Sequence, residues 1–153
     1  MNQRVKICLI ASSGGHMNQL LSVSDGWNGR DVFFVTTKEL LRQKLKQSGA
    51  VYIIGECNRE HPLRIFKVLM RCLKIFIQER PNVIISTGAA PGLIMCVIGK
   101  AFRAKVLWID SIANVEKLSL SGRLILPFAD LFLVQWQSLA DKYCKTVYIG
   151  ATI

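Results

Sequence analysis

A chain of 153 residues, 51% hydrophobic and 20% charged, is one domain's length of sequence, able to bury a core but short for a two-domain enzyme. Twenty Lys and Arg against ten Asp and Glu give a formal +10, so an anionic partner is expected: a phosphorylated ligand, an anionic membrane surface or nucleic acid. Five scattered cysteines with no C-x-x-C pair read as reduced thiols, and argue against a disulfide framework or a metal centre.

The chain opens with "VKICLIA" (5–11), a strand whose apolar core is too short for a signal peptide. It runs into Ser12-Ser13-Gly14-Gly15-His16 and then a helical pattern near 16–23. Glycines let backbone approach a ligand, and amides opening a helix favour anions such as phosphate. Ser13, Gly14 and Gly15 are therefore candidate phosphate binders, and His16 a candidate general base for a substrate hydroxyl. A plain strand-to-helix turn with a surface histidine fits the same residues, because the stretch is neither G-x-G-x-x-G nor a P-loop.

Strands are expected at 31–37 and 50–55, around a helix at 38–48. The next helix, 62–79, carries Arg64, Lys67, Arg71 and Lys74 at spacings of three and four among Leu, Ile, Phe, Met and Val. It reads as a basic amphipathic helix with those four residues toward anionic lipid, or as a packed helix with a solvated charged face. A strand at 82–88 leads into Thr87-Gly88-Ala89-Ala90-Pro91-Gly92 and a helix at 91–103. Thr87, Gly88 and Gly92 are placed in a cleft wall, although Pro and Gly also suit an ordinary helix entry. The apolar run around Pro91-Gly92 is too short to span a bilayer, so any membrane contact is expected to be peripheral.

A strand at 105–110 ends in Asp110, followed by the irregular "SIANVEKLSLSG" (111–122). Asp110, Ser111, Asn114 and Glu116 are expected to line the cleft, with Asp110 orienting a base or a sugar hydroxyl; the alternative for Asp110 or Ser111 is a helix cap. A helix near 116–126, a strand at 131–136, a helix at 137–143 and a last strand at 146–150 complete the pattern. Short β-branched runs alternating with helices predict a single α/β domain over 1–153, a Rossmann-like parallel sheet with helices on both faces. Ligands of such sheets bind at the carboxyl ends of the strands.

The stretches "SSGGH" (12–16), "STGAAPG" (86–92) and above all "DSIANVEKLSLSGRLILPFADLFLVQWQSLADKYCKTVYIG" (110–150) resemble the acceptor-side, membrane-associated subunit of two-chain UDP-sugar glycosyltransferases. That group includes the anchor subunit of the UDP-N-acetylglucosamine transferase of dolichol-linked oligosaccharide synthesis and bacterial PssD or CpsF-type proteins of capsule and exopolysaccharide synthesis. It is similar to the N-terminal half of MurG-like GT-B enzymes, and the end of this chain at Ile153 agrees with such a half-enzyme. The resemblance implies a GT-B N-terminal-type fold, an inverting transfer without metal or cofactor, and little activity alone. Implied partners are a separate donor-binding subunit, a lipid-diphosphate-linked sugar acceptor and an anionic membrane surface, with the protein at the cytoplasmic face of the cell membrane and no nucleic acid bound. By the same resemblance Gly14, Gly15 and His16 contact the acceptor, His16 as base. Asp110 stands where the eukaryotic subunit has glutamate, and Asn114 where it commonly has arginine. The rival readings are a non-catalytic enhancer or membrane scaffold, and a basic nucleotide- or nucleic-acid-binding Rossmann domain.

Overall fold

The computed structural model describes residues 5–27, 29–57 and 61–152. Seven strands form one parallel sheet: β1 (Lys6–Ile10), β2 (Asp31–Thr36), β3 (Ala50–Ile53), β4 (Val83–Ser86), β5 (Lys105–Ile109), β6 (Leu131–Val134) and β7 (Thr146–Tyr148), in the order β3-β2-β1-β4-β5-β6-β7. The order reverses between β1 and β4, whose registers pair Ile7 with Val83 and Ile10 with Ser86. Loops diverge at such a switch point and leave a crevice at the carboxyl edge.

Six helices connect the strands: α1 (Gly15–Ser22), α2 (Arg42–Leu45), α3 (Pro62–Glu79), α4 (Ala89–Ala101), α5 (Leu120–Ile125) and α6 (Gln137–Lys142). They cover the two faces unequally. Buried side chains of α3 to α6, among them Val68, Cys72, Met95, Ile125 and Leu139, pack on Cys8, Ile10, Val106, Trp108 and Phe132. On the opposite face, Met17 and Leu20 of α1 and Leu45 of α2 pack on Ile7, Leu9, Phe34 and Ile85. Burial on both sides explains why β1, β2 and β4 read as continuous apolar runs.

The expected helix at 38–48 is a 3₁₀ turn, Glu39–Leu41, followed by the single turn of α2. Only Leu45 within it is buried, too little apolar surface to hold a longer helix. The helix expected at 116–126 begins only at Leu120, because Ser119 caps it by accepting from the Gly122 amide at 2.9 Å.

Two charge networks brace the sheet away from the crevice. Glu79 ends α3 between Lys6, at 2.5 Å, and the hydroxyl of Tyr52. Its carboxylate, and some burial, push the Tyr52 phenol up to about 12. Asp130 accepts from Lys100 at 2.9 Å, Lys105 at 3.2 Å and the Val106 amide at 2.8 Å. Burial opposes its ionisation, but the amide and the two ammonium groups outweigh it and bring Asp130 to about 2.

Candidate functional site

The β1–α1 loop supplies the first wall of the crevice. Gly14 has φ 97, a left-handed conformation that glycine adopts at no steric cost. The turn it makes starts α1 at once, so His16 lies in the first helical turn. Across the switch point, Thr87 follows β4, and the two residues hold each other reciprocally. The Thr87 hydroxyl donates to the His16 carbonyl at 2.5 Å, and His16 Nδ1 lies 2.9 Å from the Thr87 carbonyl. A carbonyl can only accept, so Nδ1 carries a proton, and in the neutral tautomer this leaves the lone pair at Nε2. Nε2 has no partner among the described residues.

Gly88 lies beneath the imidazole. With φ 129, a β-carbon there would stand 2.8 Å from His16 Cε1, so only glycine lets the ring settle over this turn. The adjoining Ala89 also has positive φ, 66, an unusual conformation for a residue with a side chain. Such strain persists where surrounding structure enforces it.

Beside His16 opens a cleft of about 400 Å³ lined by Ser12, Ser13, Thr37, Glu56, Cys57, Arg64 and Ala89 to Pro91. Thr37 directly follows β2, the strand next to β1, and ties down the loop: its Oγ1 accepts from the Ser13 amide at 3.0 Å and donates to Ser13 Oγ at 3.2 Å. Glu56 on the rim pairs with Lys38 at 3.2 Å. The cleft thus combines hydroxyls, the opening of α4 and a guanidinium, a set of groups suited to a phosphorylated ligand.

Several sequence expectations need correction. Gly92 does not line the cleft: it is buried, and a β-carbon there would collide with Ser86 Oγ. It serves the close approach of α4 to β4. Asp110 is 1% exposed, and both its oxygens are occupied. Oδ1 accepts from Trp108 Nε1 at 3.2 Å and Ser119 Oγ at 2.7 Å; Oδ2 accepts from Asn114 Nδ2 at 3.1 Å and the Ser119 amide at 3.0 Å. A buried carboxylate with four donors organises a loop and has little acceptor capacity left for a base or a sugar. Ser111 closes a tight turn with Ala113 and Asn114. Glu116 is exposed, its carbonyl accepting from Lys142.

The row Arg64, Lys67, Arg71, Lys74 is solvent-exposed along α3. It lies over the end of β3, where Arg71 Nη1 donates to the Ile54 carbonyl at 2.8 Å and Arg64, Lys67 and Arg71 share a basin with Gly55 and Glu56. A neighbouring exposed row is apolar: Leu63 is 85% exposed and Phe66 62%, with Met70 and Ile77 beside them. Thr37 and Ser12 were missed by motif reading; the signal for Thr37 was its place directly after the strand that neighbours β1. Among the described residues no group of His, Cys, Asp and Glu is arranged to hold a metal.

A parallel sheet whose order reverses at a glycine loop bearing a histidine, with a phosphate-suited cleft alongside, is a Rossmann-type domain of the GT-B N-terminal kind. Solved structures agree on the fold. The chain superposes on Acinetobacter baumannii MurG with TM-score 0.77 at 15% identity, covering 94% of this chain and 45% of that one. It superposes on Neisseria meningitidis UDP-GlcNAc 2-epimerase bound to UDP-GlcNAc with TM-score 0.72 at 11% identity, covering 97% and 47%.

The family comes from sequence. A family model described as "Oligosaccharide biosynthesis protein Alg14 like" matches residues 52–152, and the chain belongs to that family. "UDP-N-acetylglucosamine transferase subunit ALG14" of Yarrowia lipolytica is 36% identical over 87 residues, 53% of this chain and 40% of the relative. The Schizosaccharomyces pombe subunit is 40% identical over 75 residues, 46% of this chain and 36% of the relative. The human subunit is 24% identical over 182 aligned positions, 99% of this chain and 84% of the relative. The chain therefore spans well under half of the first two relatives.

Proposed function

We propose that this chain is the acceptor-side subunit of a two-chain UDP-sugar glycosyltransferase that builds a lipid-linked oligosaccharide. The observation that carries the reading is His16, fixed by Thr87 beside the Gly14-Gly15 loop, its Nε2 without a partner among the described residues. In this reading a sugar hydroxyl of the acceptor lies against Nε2. Its oxygen attacks the anomeric carbon of the donor, the bond from that carbon to UDP breaks with its electrons leaving on the UDP oxygen, and the hydroxyl proton passes to Nε2. Ser13 and the Gly14-Gly15 backbone hold the acceptor diphosphate, and a separate chain of the MurG C-terminal-half kind holds the UDP-sugar. The relatives' names favour UDP-N-acetylglucosamine as donor. A bacterial capsule or exopolysaccharide setting is the narrower form of the same proposal.

The outer surface of the helical layer supports a reading of membrane association. Leu63, Phe66, Met70 and Ile77 on α3, Val97 and Phe102 at α4, and Leu124 and Phe128 at α5 are all exposed. Apolar residues in that number on adjoining helices mark an interaction surface, and the chain's formal charge of +10 suits anionic headgroups at the cytoplasmic face. Among the described residues no helix is long and apolar enough to cross a membrane.

The test is transfer of radiolabelled sugar from a panel of UDP-sugars to extracted lipid-diphosphate sugars, using this chain, its donor-binding partner, and both. Transfer only by the pair supports the half-enzyme; no change on adding this chain in any combination removes it. Full turnover by a His16→Ala pair would leave a recruiting subunit without a catalytic role.

A further inference from the structure

We propose that Arg64, with Lys67 one turn further along α3, is the cationic clamp for the diphosphate of the acceptor. The inference rests on the acceptor-side reading above and assigns these two residues to ligand, not to bilayer. Arg64 is the cation that lines the cleft beside the β1–α1 loop, together with Ser12, Ser13 and Thr37. It also lines the adjoining basin that contains Lys67. Arg64 therefore borders two adjoining concavities at the carboxyl edge.

The chemistry distinguishes a diphosphate from a neutral sugar. Hydroxyls suffice for a sugar, whereas a dianion taken from water needs a cation in hydrogen-bonding reach. The planar fork of arginine matches a phosphate face with two parallel donors, and lysine adds a mobile point charge. The other cations of the row are less suited. Arg71 is engaged with the Ile54 carbonyl, and Lys74 lies further down α3 in a separate depression with Tyr52 and Gln78. The negative group in the cleft, Glu56, is matched by Lys38.

Position on the helix supplies an independent reason. Leu63 and Phe66, adjacent to Arg64 and Lys67 in sequence, are 85% and 62% exposed on the apolar row. A prenyl chain leaving a diphosphate held by Arg64 meets that row immediately, while the sugar on the other end reaches toward His16. Sugar, diphosphate and lipid thus find their matching surfaces in the order in which they are bonded.

The test is calorimetric titration of the full chain and of Arg64→Gln, Arg64→Lys and Lys67→Gln with geranyl diphosphate, inorganic pyrophosphate and geraniol. Cosedimentation with vesicles containing anionic phospholipid runs in parallel. Loss of one charge-assisted contact weakens binding about 10- to 100-fold. Arg64→Gln is expected to show that loss for both diphosphates, Lys67→Gln a smaller one and Arg64→Lys a partial recovery, with vesicle binding and geraniol unchanged. In the assembled pair the KM for acceptor rises while kcat holds. Equal diphosphate affinity in Arg64→Gln overturns the proposal, as does the absence of diphosphate binding by the unsubstituted chain. So does a loss confined to vesicle binding, which would make Arg64 a membrane contact. Should the clamp behave as expected while the pair transfers no sugar, the clamp stands and the acceptor-side reading falls.

Discussion

His16 and Asp110 occupy comparable places: each lies just past the carboxyl end of a strand, beside small residues, on the same edge of one sheet. Their hydrogen-bonding states are opposite. His16 is held through one ring nitrogen, and its other has no partner among the described residues, whereas Asp110 has both oxygens occupied by four donors and is buried. Titratable residues at a sheet edge are thus not equivalent. Unspent hydrogen-bonding capacity, held in place by a neighbour, separates a reactive group from a structural one.

The sharpest way to break the contrast is to remove each group in turn. His16→Ala is expected to lower transfer by the assembled pair about 10²- to 10⁴-fold, the range for loss of a general base, with the melting temperature nearly unchanged. Asp110→Ala should do the reverse, costing about 3 kcal/mol in urea unfolding because it leaves four donors unpaired. Turnover per folded molecule should persist at low temperature. Near-normal stability of Asp110→Ala would show that its network is dispensable.

Gly88→Ala sharpens the comparison from the other side. Its β-carbon would displace the His16 ring, so transfer is expected to fall about tenfold, alongside about 1 kcal/mol of strain from the positive φ. Unaltered kinetics in a folded variant would mean that the ring position does not matter. Asp130 tests a structural network remote from the crevice. Its folded-state pKa lies below the ordinary carboxylate value, so its contribution is present above about pH 4 and is lost as pH falls toward about 2. Asp130→Asn should cost about 1 kcal/mol at neutral pH, after allowance for solvent screening, and flatten the acid limb of a stability curve. The smallest expected effect is Ala89→Gly, a gain of at most about 1 kcal/mol from relief of its positive φ. A loss of stability there would show that Ala89 is not strained.

The alternation of apolar runs and helices made the parallel sheet readable, because burial on both faces demands continuous β-branched strands. The Gly14-Gly15-His16 turn was equally readable, since it needs little more than the local chain. Motif reading went wrong where long-range partners decide. Asp110 and Gly92 looked like cleft residues until the packing of α5 and α4 was known. The four cations of α3 share a helical face, but which direction that face points depends on β3.

The sequence by itself determined the alternating architecture, the glycine turns and the basic, apolar character of the chain, because periodicity and backbone freedom are local properties. Only the tertiary structure decided which groups at the sheet edge are spent. It joined His16 to Thr87 across 71 positions, closed four donors around Asp110, and turned Arg64 toward the cleft with Leu63 and Phe66 exposed. Hydrogen bonds and burial link residues far apart in the chain, and those links settle what each group has left to offer a ligand.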